Sequence, residues 1–393
     1  MITFGNWGGL PQYLSAREAA ARLGVSRRTL YVYVSRHLVR SVGEHHNKRY
    51  CEADIAQLLS RKKAARKPSV AAHRALDWGL PVLDSAITCI DKGGVFYRGM
   101  DVTALAEHAS VEEVARVLWD CGDVDPFAAA ASLVPGRAGS DGDAMQRCTE
   151  GLACVLARPS QLVSPPVDAA RLIRHFYAAA VGVGASKRRL DRVLAAGFAR
   201  PKEADVFRRA LILCADHELS ASAFAVRCAA STGAPLAAAL LAGVGAFAGA
   251  AQGGAPEEVE KLLDDCLERK SPERAIAVRL RDADSFPGFG HKLHPLGDCR
   301  ASALLAVIAQ TAETKALEAA MAREVGLKPN IAFALVALRR ALDLPRGAAL
   351  TIYACGRSLG WVAHALEQAS SGELIRPRAR YVGPAPAPIA GSA

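Results

Sequence analysis

The charged residues of this 393-residue chain are unevenly distributed, and this constrains its architecture more than any other feature. Residues 1 to 70 contain 13 Lys and Arg against 4 Asp and Glu, whereas the remaining residues contain 36 against 35. Because 51% of the residues are hydrophobic, the chain can bury more than one core. We therefore expect a basic N-terminal unit that binds a polyanion and a nearly neutral body that binds a small molecule or a protein.

The cysteines and the N-terminus indicate the compartment. The ten cysteines are scattered singly, without a CxxC pair or a Cys and His spacing typical of a metal site. The first 17 residues lack a basic segment followed by an apolar run, which argues against secretion. We expect reduced thiols, no bound metal and a cytoplasmic location.

One stretch, residues 228 to 256, carries no charge and is similar in length to a membrane span. Its content is mainly Ala and Gly, interrupted by Pro235 and by polar residues, so its transfer into lipid gains little free energy. We expect a close-packed buried helix here.

The N-terminal segment has the pattern of a helix-turn-helix. Ser15 with Glu18 forms a capping box that opens a short helix, and Gly24-Val25-Ser26 separates it from a second helix over residues 27–38. A wing-like segment around Lys48 and a third helical pattern over 52–59 follow. Residues 13 to 63 resemble the winged helix-turn-helix domain of MerR-type regulators and excisionases.

This resemblance implies DNA binding through the second helix and the wing. The residues expected to contact DNA are Arg27, Arg28, Thr29, Tyr31, Arg36, Lys48 and Arg49. The alternative is a small three-helix unit for protein contacts, in which the basic residues form a solvated face.

The rest of the chain consists of helical patterns separated by Gly and Pro, which predicts an all-α body. We expect a helix-turn-helix unit over residues 1–63, a basic linker over 64–75, a helical body over 76–383 and a flexible tail over 384–393.

Four patterns in the body are unusual for a purely structural helical protein. They are Gly94-Val-Phe-Tyr-Arg-Gly-Met-Asp101, Ala215-Asp-His-Glu-Leu-Ser-Ala-Ser222, Gly288-Phe-Gly-His-Lys-Leu-His-Pro-Leu-Gly-Asp-Cys-Arg300 and Gly356-Arg-Ser-Leu-Gly-Trp-Val-Ala-His364. In this order and at these separations they resemble citrate synthase in its compact bacterial form. The resemblance implies an all-α homodimer whose large and small domains close on oxaloacetate and an acyl-CoA, with no tightly bound cofactor.

The resemblance also implies roles for five residues. His291 matches the histidine that polarises the ketone, and His217 matches one that holds oxaloacetate. Arg300 and Arg357 match carboxylate-binding arginines, and Arg376 matches one that reaches across from the partner subunit. The alternative for the two histidines is that they are satisfied core residues.

Other histidines receive no functional role from the sequence. His364 is expected to pack on the helix that carries Arg357, and His175 and His294 are assigned no role.

Three positions depart from the family pattern. Gln252 stands where the family has the histidine that binds the enol oxygen, and Ala332 stands where it has the aspartate base. The Gln252 amide retains a donor, so that change alone is expected to cost about 10² to 10³ in rate. Loss of the base costs about 10² to 10⁴. Cys299 replaces the usual proline, a milder change expected to loosen its loop.

Three functional hypotheses follow. The first is a DNA-binding sensor that binds oxaloacetate and acyl-CoA with weakened or lost condensation. The second is an active citrate or 2-methylcitrate synthase, an acyltransferase with a regulatory head. The third is a structural subunit that pairs with an intact paralogue and supplies Arg376 to its site.

Overall fold

The computed structural model describes residues 13–35, 39–42, 48–52, 54–56, 83–129, 142–157, 165–282, 286–379 and 381–384. The predicted basic linker (64–75) and nearly all of the predicted tail (384–393) lie outside these residues. The predicted domain boundaries therefore remain predictions.

The N-terminal unit is a helix-turn-helix with a small sheet. Its elements are β1 (Tyr13–Ser15), α1 (Ala16–Leu23), α2 (Arg27–Ser35), β2 (Ser41–Val42) and β3 (Arg49–Cys51). The strands pair antiparallel in the order β1-β3-β2, and residues 54–56 are helical. The strand β1 was not predicted.

The predicted capping box is confirmed at the start of α1. The Ser15 hydroxyl accepts a hydrogen bond from Glu18 N, while the Glu18 carboxylate accepts one from Ser15 N. Ser26 accepts from Thr29 N and so caps α2. The unit has its own apolar core, in which Leu23, Leu30 and Tyr50 are buried.

The body begins with a small sheet and continues with helices, as predicted. Its strands are β4 (Thr88–Asp91), β5 (Gly94–Tyr97) and β6 (Met100–Asp101), paired antiparallel in chain order. The helices are α3 (Val102–His108), α4 (Val111–Trp119), α5 (Pro126–Ala129), α6 (Ala144–Leu156), α7 (Pro165–Ala180), α8 (Leu190–Gly197), α9 (Ala204–Leu213), α10 (Ala221–Ser231), α11 (Leu236–Phe247), α12 (Ala255–Glu268), α13 (Pro272–Asp282), α14 (Cys299–Leu305), α15 (Ala312–Glu324), α16 (Ile331–Ala341) and α17 (Ala348–Ser371). A 3₁₀ turn covers Pro201–Glu203.

The uncharged stretch forms the buried helix α11, as predicted. It is 12 residues long and packs against α6, α10 and α17. A Cβ on Gly243 would lie 2.6 Å from the Val226 side chain, so the absence of a side chain lets α10 and α11 approach closely. In the described part of the chain no helix is both long and apolar enough to cross a membrane.

The long helix α17 is the centre of the body. Nearly every residue from Ala348 to Ala365 is buried, and α17 contacts α4, α7, α9, α10, α11 and α16. Helices α12 to α16 pack mainly on one another and meet α17 through α16. The single apolar core that joins these helices therefore surrounds the helix on which Arg357 lies.

Candidate functional site

Three histidine side chains from two loops meet in the body. His217 lies in the turn between α9 and α10, and His291 and His294 lie in the loop before α14. The ring centroid of His217 is 5.0 Å from that of His291 and 5.1 Å from that of His294. The Nε2 atoms of His217 and His294 are 2.8 Å apart, within hydrogen-bond distance. We call these three residues the histidine cluster.

His294 belongs to this cluster although the sequence assigned it no role. Its backbone N–H donates to His291 O at 3.0 Å, so both side chains leave one tight turn. The spacing of three residues inside a Gly- and Pro-containing loop was an available signal. The contact with His217, 77 residues away, has no local signature.

Burial keeps the histidine cluster uncharged. It lowers the pKa of His217 well below 6.5, with Arg300 as the next cause. Burial, followed by the charge of Arg300, lowers the pKa of His291 to about 3. Burial also lowers the pKa of His294. Near pH 7 the cluster therefore offers neutral imidazoles, which can donate or accept hydrogen bonds.

Arg300 is buried beside a carboxylate that the sequence analysis did not single out. Its Nε and Nη2 donate to the two oxygens of Asp298, both at 2.9 Å. Burial raises the pKa of Asp298, but Arg300 outweighs it and the result is about 2. Among the described residues Arg300 Nη1 has no hydrogen-bond partner. One edge of the guanidinium is thus neutralised, while one donor remains available.

Arg357 is the less satisfied of the two predicted carboxylate-binding arginines. Its side chain is 1% exposed, and Nη2 donates to the Tyr353 hydroxyl at 3.1 Å. Its Nε and Nη1 atoms are buried and meet no hydrogen-bond acceptor in the part of the chain described. A buried donor without an acceptor costs about 1–3 kcal/mol, so this arrangement suits an anionic ligand.

Close helix packing sets the position of Arg357. A Cβ on Gly356 would lie 2.8 Å from Leu211 O and 2.7 Å from the Cys214 Cβ. The backbone of α17 therefore lies directly against the end of α9, the segment that leads into His217.

His364 was expected only to pack, and the structure gives it polar contacts as well. Its Nδ1 accepts from Arg227 Nε at 3.0 Å, and its Nε2 lies 3.2 Å from an oxygen of Asp216. Asp216 is fully buried; burial raises its pKa, but His364 and Arg357 lower it further, so the carboxylate is charged. His175, also assigned no role, is buried in α7.

The first residues of the body are tied to this region. The Thr88 hydroxyl donates to Asp216 at 2.6 Å, and Asp216 directly precedes His217. Two residues earlier, Ala86 N donates to Glu367 on α17 at 2.8 Å.

Gln252 is fully occupied by hydrogen bonds within the chain. Its Oε1 accepts from Ser222 N at 3.0 Å, which fixes the orientation of the amide. Its Nε2 lies 2.6 Å from the Ser222 hydroxyl and 3.3 Å from the Ser220 hydroxyl. The donor that the sequence left available for a thioester oxygen is therefore engaged by two hydroxyl groups.

Ala332 lies next to the histidine loop. Asn330 N donates to Gly288 O at 2.8 Å, and the Asn330 side chain donates to Gly290 O at 3.0 Å while accepting from Ala332 N. Ala332 thus occupies the first turn of α16, and it is buried. A methyl group at this position provides no proton acceptor.

The two remaining predicted body residues lie at the edges of the site. Cys299 begins α14, and the Asp298 side chain caps that helix by accepting from Arg300 N. Arg376 is exposed after the end of α17, where it donates to Pro377 O. Within this chain, Arg376 is therefore not part of the buried cluster.

The predicted DNA-binding residues lie on one helix and beside one strand. Those that the structure describes are Arg27, Thr29 and Tyr31 on α2, and Lys48 and Arg49 at β3. Arg36 and the side chain of Arg28 lie outside the described residues. Tyr31 is 50% exposed.

The fold and the site together define a helical ligand-binding protein or enzyme with two buried guanidinium groups beside three neutral imidazoles. Comparison with known proteins gives the family. The family model "Citrate synthase, C-terminal domain" matches residues 166–378, and a "Helix-turn-helix domain" model matches residues 13–63. The chain belongs to the citrate synthase family and carries an N-terminal helix-turn-helix domain.

Individual relatives agree with this assignment. "Citrate synthase 2" of Bacillus subtilis (strain 168) is 29% identical over 359 residues, which cover 80% of this chain and 96% of that protein. The crystal structure of citrate synthase from Thermotoga maritima MSB8 is similar with a TM-score of 0.66 at 24% identity, covering 79% of this chain and 96% of that one. Citrate synthase from Thermoplasma acidophilum, in ternary complex with carboxymethyl coenzyme A and oxaloacetate, gives 0.64 at 22% identity, covering 80% and 97%. The two structures share the fold.

Proposed function

We propose that this chain binds oxaloacetate and an acyl-CoA, that its condensation activity is weakened or lost, and that it acts through a DNA-binding head. The observation that carries the proposal is Arg357, a buried guanidinium with two donors that meet no acceptor in the described chain. Oxaloacetate has two carboxylates and a ketone. Arg357 and the remaining donor of Arg300 suit the carboxylates, and His217 and His291 suit the ketone end.

Condensation needs more than binding. A base must take a proton from the acyl-CoA methyl, and a donor must stabilise the enol oxygen that forms. At the position of the base, Ala332 has no acceptor. At the position of the donor, Gln252 already spends both amide hydrogens on Ser220 and Ser222. Both groups that act only in the transition state are therefore weakened, while the ground-state ligands remain.

The N-terminal unit supports the regulatory part of the proposal. Residues 1–70 carry nearly all of the net positive charge of the chain, and α2 exposes Arg27 and Tyr31. A basic, aromatic helix in a helix-turn-helix suits insertion into the major groove. In a homodimer, two such heads would bind two half-sites, and domain closure on the ligand would change their spacing.

Arg376 supports an assembly of at least two chains. It is exposed in a segment beyond α17 and contacts no residue of the buried cluster in its own chain. We propose that it completes the site of a partner, either a second copy or an intact paralogue.

The test combines binding and turnover on the full chain. Calorimetry with oxaloacetate should give a Kd between micromolar and millimolar, and Arg357→Ala should remove measurable binding. Arg192→Ala, an exposed arginine on α8, is the matched control and should bind normally. Thiol release from acetyl-CoA or propionyl-CoA with oxaloacetate should be orders of magnitude slower than for a family member with the histidine and aspartate.

Two outcomes would change the conclusion. Unaltered oxaloacetate binding by Arg357→Ala would remove the site assignment. Rapid thiol release would instead establish the active citrate or 2-methylcitrate synthase, with a base other than residue 332.

A further inference from the structure

The hydrogen bond between His217 and His294 has no function in the site as proposed so far. His294 is 2% exposed, and its Nε2 lies 2.8 Å from His217 Nε2. Two neutral imidazoles at this distance must share one proton, because one nitrogen has to donate and the other to accept.

A metal ion in place of that proton fits less well. A tetrahedral Zn²⁺ at 2.0–2.1 Å from each nitrogen holds two imidazole nitrogens about 3.3 Å apart, longer than the observed 2.8 Å. Arg300 and Arg357 also act electrostatically on His217, which disfavours a divalent cation there. The geometry therefore indicates a proton.

The surroundings of His294 decide which nitrogen carries this proton. An oxygen of the buried Asp298 lies 4.0 Å from His294 Nε2, and a nearby carboxylate favours an N–H at that atom. His294 Nδ1 is buried without a hydrogen-bond partner among the described residues. With the proton on Nε2, that atom is an unused lone pair rather than a buried N–H without an acceptor.

We propose that His294 is a positioning residue that fixes the tautomer of His217. His294 Nε2–H donates to His217 Nε2, so His217 carries its own proton on Nδ1. His217 then presents Nδ1–H, a donor suited to a carboxylate or ketone oxygen, rather than a lone pair that repels it. This step rests on the proposed function, in which His217 contacts oxaloacetate.

The first test separates the donor of residue 294 from its packing. His294→Gln can still donate a hydrogen bond toward His217, whereas His294→Leu fills similar space without a donor. We expect oxaloacetate to bind about 10- to 100-fold more weakly to His294→Leu and within about threefold of the wild type to His294→Gln. His108→Leu, an exposed histidine, is the control and should not change binding. Equal losses in the Gln and Leu variants would overturn the proposal.

The second test measures the tautomer without a ligand. Two-bond ¹H–¹⁵N spectra of the full chain labelled on histidine should show His217 protonated at Nδ1 in the wild type. The variant His294→Leu should show His217 with an altered tautomer. A His217 protonated at Nε2 in the wild type would overturn the proposal, as would Zn²⁺ that binds at micromolar concentration and is lost in His294→Leu. Because this measurement needs no oxaloacetate, it separates failure of the relay from failure of the proposed ligand.

Discussion

The two buried arginines of the site should respond in opposite directions when each is replaced by methionine. Methionine keeps most of the length of the side chain and removes the charge and its donors. Arg300 and Arg357 are both about 1% exposed, so simple burial predicts the same effect for both. Their partners differ, and that difference decides the sign.

At Arg357 the substitution removes two buried donors that meet no acceptor in the described chain. Each such donor costs about 1–3 kcal/mol, and the only hydrogen bond lost is the one to Tyr353. We therefore expect Arg357→Met to raise the stability of the ligand-free protein by about 1–3 kcal/mol. Oxaloacetate binding should weaken by about 2–5 kcal/mol, or roughly 30- to 5000-fold in Kd.

At Arg300 the substitution leaves Asp298 buried without its bidentate partner. Breaking a buried pair in this way destabilises by about 3–5 kcal/mol. Scanning calorimetry without ligand should therefore show a higher melting temperature for Arg357→Met and a lower one for Arg300→Met. A drop of similar size in both variants would refute the reasoning that Arg357 is held ready for an absent anion.

Three further predictions concern turnover, DNA and pH. The double variant Gln252→His with Ala332→Asp should restore measurable citrate formation in the thiol-release assay, most of it from the aspartate, and the two effects should not add because both groups act on one transition state; no gain would show that other defects exist. Removal of residues 1–66 should abolish DNA binding and leave the body folded, and binding by the full chain should fall steeply with salt; a truncated chain that bound DNA equally well would place the contacts in the body. The pKa of His291 is lowered to about 3 when folded and is near 6.5 when unfolded, so stability should fall as the pH drops below 6.5, by up to about 1.4 kcal/mol at pH 5.5 from this residue. His291→Gln should show a shallower pH dependence of the melting temperature, and an identical dependence would contradict the assignment.

Local patterns were sufficient where the chemistry is local. The capping box at Ser15 and Glu18 needs only residues three apart, and the buried helix α11 follows from an uncharged run rich in Ala and Gly. The family motifs brought His217, His291, Arg300 and Arg357 to attention because each lies in a recognisable segment.

The sequence could not reveal how distant side chains satisfy one another. The amide of Gln252 was considered available for a substrate, and only the three-dimensional structure shows it engaged by Ser220 and Ser222, about 30 residues earlier. The pairing of His294 with His217 is equally non-local. Tertiary hydrogen bonds of this kind depend on the packing of whole helices, which residue spacing does not encode.

The attachment of Ala86 and Thr88 has a consequence for how such a protein can arise by gene fusion. A domain joined upstream of residue 83 is covalently connected to a segment that bonds α17 and Asp216, the neighbour of His217. A domain joined after Ser371 would instead follow an exposed segment. Fusion at the N-terminal end therefore begins with a direct mechanical connection to the ligand site, and an ancestor could gain a ligand-dependent output without first evolving a new interface between domains.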